Sequence, residues 1–230
     1  MTLALYCTQA LVEAVAHLTP AIEAATGHSL AATFGTTGGL VKRLKAGEAA
    51  DVVIVARSAL EGLAAAGLVA DEGRADIARV GLGIAVRAGG PVPDISTVEA
   101  LTATLAACRS VAYPDPADGG ASGVHFAATL ERLGLAEALA PRSILVKAGG
   151  EVGVLAAEGK AELAVQMISE LMPIAGTVIA GPLPDAVQNV TQFSAGVTAA
   201  SRQPKAARAL IAFLGSAAAR PALEAAGLSV

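Results

Sequence analysis

A chain of 230 residues with a net charge of −4 and 16% charged side chains has no basic stripe, which argues against a nucleic-acid surface. Hydrophobic residues make up 54%, above the usual range of about 45–50%, and aromatics only 3% with no Trp, so stacking on bases or sugars is not expected. The length permits one large α/β domain or two small ones.

In chain order, residues 3–6 read as a short buried strand, followed by a helical face at Leu11, Val15, Leu18 and Ile22. Gly27 is placed to close that helix, and Pro20 predicts a kink in it or a split into two helices. Residues 29–34 form the second predicted strand. The loop Phe34-Gly35-Thr36-Thr37-Gly38-Gly39-Leu40 follows, and an amphipathic helix runs to Ala46. Residues 51–55 (DVVIV) are an apolar run typical of a strand covered on both faces, and Ser58 is the expected cap of a helix ending at Gly67. This β-α-β-α-β-α order predicts parallel strands with right-handed crossovers.

Residues 80–86 read as a further strand, ended by Gly89, Gly90, Pro91 and Pro93, with Ser96 opening a short helix. Residues 110–113 form a strand leading into a long loop that carries Gly119, Gly120, Ser122 and Gly123, and a helix with Phe126, Leu130 and Leu133 on one face ends before Gly134. Strands are expected at 144–146, 161–168, 178–179, 187–190 and 193–199. Gly149-Gly150 precede a helix reaching Ala157, Ser169 and Glu170 open a short turn, and Pro204 opens a helix to Leu214 that is followed by a last one over 217–226. No flexible tether separates independent domains. If the chain forms two α/β lobes, 1–82 with 194–230 and 83–193, it crosses between them through the strands at 80–86 and 193–199.

Several strand-to-helix junctions carry small hydroxyl residues: Thr8, then Thr36 and Thr37, then Ser122 with Gly123. A further junction, Gly149-Gly150, has none. A helix N-terminus presents unpaired N–H groups and partial positive charge, and ligands of open α/β sheets sit beyond the carboxyl ends of the strands. Each junction alone reads equally as an N-cap. Their recurrence in both halves points to an anion held by hydroxyls and backbone N–H groups.

Other chemistry is not signalled. Neither glycine loop has the lysine of a P-loop, and no dinucleotide fingerprint or nucleophile elbow is present. His17, His28 and His125 are too scattered for a metal cluster, so no metal and no cofactor is expected. Cys7 and Cys108 fall in separate elements and read as free buried thiols. Lys42, Arg43 and Lys45 read as a solvated helix face, whereas Arg57 and Lys147 follow strands and are placed to meet a carboxylate. Glu170 is the acid nearest a strand end, and helix N-terminal charge stabilisation accounts for it as well. No apolar run approaches the roughly 20 residues that cross a bilayer. No charged n-region and cleavage site are visible, so the expected compartment is the cytoplasm, or the periplasm if a leader has been removed.

The chain resembles the type 2 periplasmic binding proteins, and within them the molybdate-binding branch. The resemblance rests on residues 3–15, the loop at 34–40, Ala50-Asp51-Val52-Val53-Ile54, residues 60–69, Asp115-Pro116, and the closing segment from Pro204-Lys205-Ala206-Ala207 to Phe213-Leu214-Gly215-Ser216. It implies two α/β lobes joined by two crossing strands, a small anion between them, an ABC transporter permease as partner, and a monomer. Thr36 and Thr37 match positions where the family usually has serines. The first family serine falls on Ala10, leaving Thr8 or Gln9 nearby, and the family tyrosine falls on Met167 or Gln166, so two molybdate ligands are missing. Gly119 to Gly123 and Gln166 to Leu171 are instead similar to a divergent subgroup that includes aconitate isomerase. The resemblance thus implies a binding protein with Thr8, Gln9, Thr36, Thr37, Ser122, Gly123, Gly150 and Gln166 at its ligand. The alternative is a tricarboxylate isomerase, whose proton-transfer candidates are Glu170, His125, Tyr113 and Cys7. An effector-sensing lobe of the type found in LysR regulators ranks third.

Overall fold

A computed structural model describes residues 1–147 and 152–230. Two compact units emerge: residues 1–79 with 191–230, and residues 80–190. The chain passes between them at Arg79/Val80 and at Val190/Thr191, against expected boundaries at 82/83 and 193/194.

The first unit begins with β1 (Thr2–Thr8), α1 (Val12–Thr26), β2 (Ser29–Gly35), α2 (Thr37–Lys45), β3 (Val52–Ala56), α3 (Arg57–Ala65) and β4 (Ala75–Val80). The second comprises β5 (Leu82–Arg87), α4 (Val98–Ala107), β6 (Val111–Pro114), α5 (Ala121–Arg132), α6 (Ala136–Leu139), β7 (Ser143–Val146), α7 (Val152–Ala157), β8 (Leu163–Met167), α8 (Ile168–Leu171) and β9 (Thr177–Pro182). The first unit is completed by β10 (Thr191–Val197), α9 (Pro204–Leu214) and α10 (Arg220–Ala225).

Each unit holds one five-stranded mixed sheet. The order in the first is β2-β1-β3-β10-β4, with β1 parallel to β2 and β3 and β10 antiparallel to β3. In the second it is β7-β6-β8-β5-β9, with β6 parallel to β7 and β8 and β5 antiparallel to β8 and β9. The expected α/β fold class of two mixed-sheet lobes is the observed one.

Strand alternation builds the cores. In the first unit Tyr6, Val53 and Val55 face Leu40 and Leu44 of α2 and Leu60 and Leu63 of α3. In the second, Leu82, Ile84 and Val86 with Val111, Tyr113 and Val165 bury one face under Leu101, Leu105, Phe126 and Leu130. The opposite face carries Ala85, Ala112 and Ala164, small side chains that let Val152 and Ala156 of α7 and Leu171 of α8 sit close to the sheet.

Five local expectations are corrected, at Pro20, Ser58, Ser96, residues 80–86 and residues 187–190. Pro20 lies inside one uninterrupted helix, α1, where Leu18 and Ile22 are buried on one face. Ser58 is not a cap: α3 starts at Arg57 after Ala56, and the cap of α4 is Thr97, whose hydroxyl accepts from Ala100 N. Residues 80–86 are not one strand, because Gly81 separates β4 from β5. Residues 187–190 are not a strand, since a 3-10 turn at Asp185–Val187 precedes Gln188. The Gln188 side chain instead bonds the Leu82 backbone through both its atoms: its Oε1 accepts from Leu82 N (2.8 Å) and its Nε2 donates to Leu82 O (2.9 Å).

The first unit is closed by one buried carboxylate, Asp51. Its Oδ2 accepts from Ala4 N (2.9 Å), and its Oδ1 accepts from Ser201 Oγ (2.7 Å) and Arg202 N (3.2 Å). β1 is thereby tied to the segment entering α9. Hydrogen bonds to a charged acceptor are the stronger kind, and removing the acceptor strands buried donors. Asp51→Ala is expected to lower the unfolding free energy by about 3 kcal/mol, read as a lower urea midpoint with unchanged slope, whereas Asp51→Asn keeps part of the network and loses less.

Candidate functional site

In the first unit, the predicted hydroxyl residues stand at the carboxyl edge of the parallel strands. Thr8 is the last residue of β1, is buried, and its hydroxyl has no hydrogen-bond partner among the described residues. Gln9 follows it in a single 3-10 turn together with the buried Ala10. Thr36 is the N-cap of α2, its Oγ1 accepting from Gly39 N (3.1 Å). A Cβ on Gly39 would come within 3.1 Å of that oxygen, so glycine keeps the cap close. Thr37 Oγ1 accepts from Ala56 N at the end of β3 (3.3 Å). Both threonines therefore act as structural acceptors. A hydroxyl that accepts a backbone N–H still has its own O–H to donate, so capping and anion binding are compatible here.

Charge near this edge is already balanced. Arg57 Nη1 lies 3.1 Å from Asp76 Oδ2 and its Nε 3.5 Å from Glu61 Oε1. Asp76 Oδ1 in turn accepts from Ser194 Oγ (2.6 Å). These groups line a cavity of about 350 Å³ in this unit. Arg43 donates to the Tyr6 hydroxyl (3.0 Å), pairs with Glu48 (2.7 Å) and covers the Tyr6 ring at 4.5 Å, so it stiffens α2 against β1 and is not a free cation.

In the second unit, α5 starts after β6 with Gly120 as a cap that offers no side chain. Val124 N is the first amide to return to the helix, at Gly120 O (3.1 Å). The amides of Ala121, Ser122 and Gly123 have no partner among the described residues, in contrast to the capped start of α2. Ser122 is 7% exposed. Gly123 is a packing residue: a Cβ there would lie 2.2 Å from Pro114 O, so only glycine lets the first turn of α5 rest on the end of β6. Gly150 lies outside the described residues.

The proton-transfer candidates separate clearly. Tyr113 is in the core, edge-on to Phe126 with ring centroids 5.0 Å apart. The His125 ring is engaged, its Nε2 lying 2.8 Å from Val187 O. Cys7 is fully buried, and desolvation pushes its thiol far above the range in which it could ionise at neutral pH.

Glu170 differs from all of these. It sits in α8, directly after β8, the middle strand of the sheet. Gln166, 7% exposed near the end of β8, donates its side-chain N–H to Glu170 Oε2. Ser169, 4% exposed, has a buried hydroxyl without a hydrogen-bond partner among the described residues. Desolvation pushes the Glu170 carboxyl up to about 7, and the Gln166 hydrogen bond offsets only part of that. Glu170 and Gln166 were legible from the sequence. The role of Ser169 was missed, although a polar Gln in an apolar strand with Ser-Glu directly after it was the available signal.

Because β6 and β8 are neighbouring parallel strands, Ser122 and the Gln166–Glu170 group share one edge of this sheet. Among the described residues no three His, Cys, Asp or Glu side chains gather as metal ligands do, and no helix is long and apolar enough to cross a membrane.

Residues 3–229 match the family of bacterial extracellular solute-binding proteins. The chain belongs to that family. Among curated proteins, this family member is 37% identical over 233 residues to an aconitate isomerase from a Pseudomonas species, covering 99% of this chain and 87% of the relative. Solved structures of similar fold include the Azotobacter vinelandii periplasmic molybdate-binding protein, with TM-score 0.80 and 19% identity over 99% of each chain. They also include the substrate-binding domain of a molybdenum ABC transporter from Clostridium difficile, with TM-score 0.78 and 18% identity over 99% of this chain and 98% of that one. A third is the Mycobacterium tuberculosis sulfate-binding protein, with TM-score 0.76 and 18% identity over 99% of this chain and 86% of that one.

The Glu170 shift has a sign that stability measurements read. The folded protein holds the proton up to about 7, whereas an unperturbed glutamate releases it near 4.5. Between those values the folded state binds more protons than the unfolded one, so stability falls as pH rises through this window and is flat above it. Glu170→Gln, which keeps an acceptor for Gln166, is expected to be more stable than wild type by about 1–2 kcal/mol at pH 8, allowing for solvent screening at its exposed edge, and equal at pH 4.5. Paired urea titrations at the two pH values check this.

Proposed function

We propose that this solute-binding protein takes a small organic di- or tricarboxylate as its ligand, held by hydroxyls and backbone N–H groups. The observation that carries the reading is the 37% identity to aconitate isomerase across 99% of the chain, whereas the oxyanion-binding structures share its fold at 18–19% identity. The chemistry of the residues agrees. Ala10 and Met167 or Gln166 stand where the molybdate branch has a hydroxyl serine and a tyrosine. The donors that remain are the hydroxyls of Thr8, Thr36, Thr37 and Ser122 and the amides at the start of α5, which have no partner among the described residues. Such donors stabilise a carboxylate without a fixed cation. A periplasmic location and delivery of the ligand to an ABC-type permease, with the protein acting as a monomer, complete this reading.

Calorimetry with tricarballylate, citrate, cis-aconitate, sulfate and molybdate tests it. Heat is expected for the carboxylates and none for the two inorganic oxyanions. Thr37→Val and Ser122→Ala are each expected to weaken binding about tenfold, the effect of losing one hydrogen bond to a charged group. Binding of molybdate alone would return the chain to the oxyanion class.

A second reading, isomerisation of a tricarboxylate, is favoured by the same relative and by a carboxyl group poised near neutrality. In a 1,3-shift a base removes a proton from the methylene carbon beside one carboxylate. The C–H electrons form the new double bond to the central carbon, the old π pair moves to the former vinylic carbon, and that carbon takes a proton back. No oxidant or reductant is needed. Glu170 is the described acid suited to carry the proton, since a pKa near 7 serves both directions. Chromatography of cis-aconitate incubated with the protein is expected to show the trans isomer, and Glu170→Gln to abolish its appearance. An unchanged mixture at high protein concentration would leave binding without catalysis.

A further inference from the structure

We infer that the Gln166–Ser169–Glu170 corner at the end of β8 is a proton-coupled carboxylate subsite: Glu170 enters the complex protonated and, with the Ser169 hydroxyl, donates a hydrogen bond to one carboxylate of the ligand. This rests on the reading that an organic carboxylate is bound, and adds how it is recognised and at what proton cost.

The observations concern what surrounds Glu170. The elements packed against α8 are β5, β8, β9 and α7. Among their described residues the one titratable side chain is Arg87, the last residue of β5. β5 runs antiparallel to β8 with Leu82 opposite Met167, so Arg87 is at the far end of the sheet from α8. No cation on these elements compensates a Glu170 carboxylate. Its neighbour by hydrogen bond is the neutral Gln166 amide, and the adjacent Ser169 hydroxyl is buried with no partner among the described residues. An unpartnered buried hydroxyl costs about 1–3 kcal/mol, and a carboxylate removed from water without a counter-charge costs more.

A purely structural corner would settle both groups with apolar residues at the two positions. A ligand carboxylate settles both at once, because it accepts from a hydroxyl and from a neutral carboxylic acid but is repelled by a carboxylate. The balance is simple. In the free protein above pH 7 the carboxyl is mostly ionised. On binding it takes one proton from solvent, and no bond other than the new O–H is made.

The test is calorimetry of wild-type protein with tricarballylate, a saturated tricarboxylate that cannot isomerise, in buffers of different ionisation enthalpy. It is run at pH values where the probe is fully ionised. Close to one proton taken up per ligand is expected at pH 8, with Kd rising by up to about tenfold per pH unit above about 7.5. Glu170→Gln is expected to bind with a pH-independent Kd and no proton uptake. Ser169→Ala is expected to bind about tenfold more weakly with proton uptake retained, consistent with one lost hydrogen bond. Binding by wild type without proton exchange overturns the inference while leaving the carboxylate reading intact, and so does proton uptake that survives in Glu170→Gln. If wild type binds none of the carboxylates at any pH, the underlying reading fails and this inference with it. The wild-type proton count decides the matter even if Glu170→Gln does not fold.

Discussion

Parallel pairing is the constraint from which everything else in each unit follows. A parallel strand must return to its starting edge before the next begins, and a helix makes that return. Every such helix starts at the carboxyl edge of the sheet. β1, β2 and β3 in one unit, and β6, β7 and β8 in the other, therefore collect helix starts along a single edge. The antiparallel members, β10 and β5, contribute no helix start there and serve to widen the sheet. The donors that suit an anion are a by-product of strand direction, refined by small residues: Gly39 under the Thr36 cap, Gly123 on the Pro114 carbonyl.

The two edges are finished differently. At α2 the hydroxyls are already engaged as acceptors, so their geometry is fixed before any ligand arrives. At α5 the cap offers no side chain and the first amides have no partner among the described residues. In the first unit Arg43, Arg57 and Arg74 are paired with its own acids.

Strand-loop-helix order, the parallel prediction, the glycine stops at Gly27, Gly67 and Gly134 and the closing helix from Pro204 were legible, because each depends on a period or a backbone angle that the residue type dictates. β4 was not, since it is an edge strand whose Asp76 and Arg79 interrupt the apolar alternation. The segment at Val187 read as a strand by its β-branched residues. Its backbone role is taken by a side chain, Gln188, and no local pattern announces that. Thr36, Thr37 and Ser122 were visible as junction hydroxyls. The isolation of Glu170 was not visible, because it depends on which residues neighbouring strands do not carry. The cap expected at Ser96 failed by one residue and that at Ser58 by two, which is the scale at which hydroxyl position alone stops being informative.

The sparse aromatic content has an optical consequence. The chain has two tyrosines and no tryptophan, and each unit holds one tyrosine. Tyr6 lies under the Arg43 guanidinium of α2, and Tyr113 lies against Phe126 of α5. Each chromophore thus touches the helix whose first turn forms its unit's anion-ready edge. Ultraviolet emission from this protein is tyrosine emission, and replacing either ring by phenylalanine would leave an intrinsic reporter of one unit alone, with no dye attached.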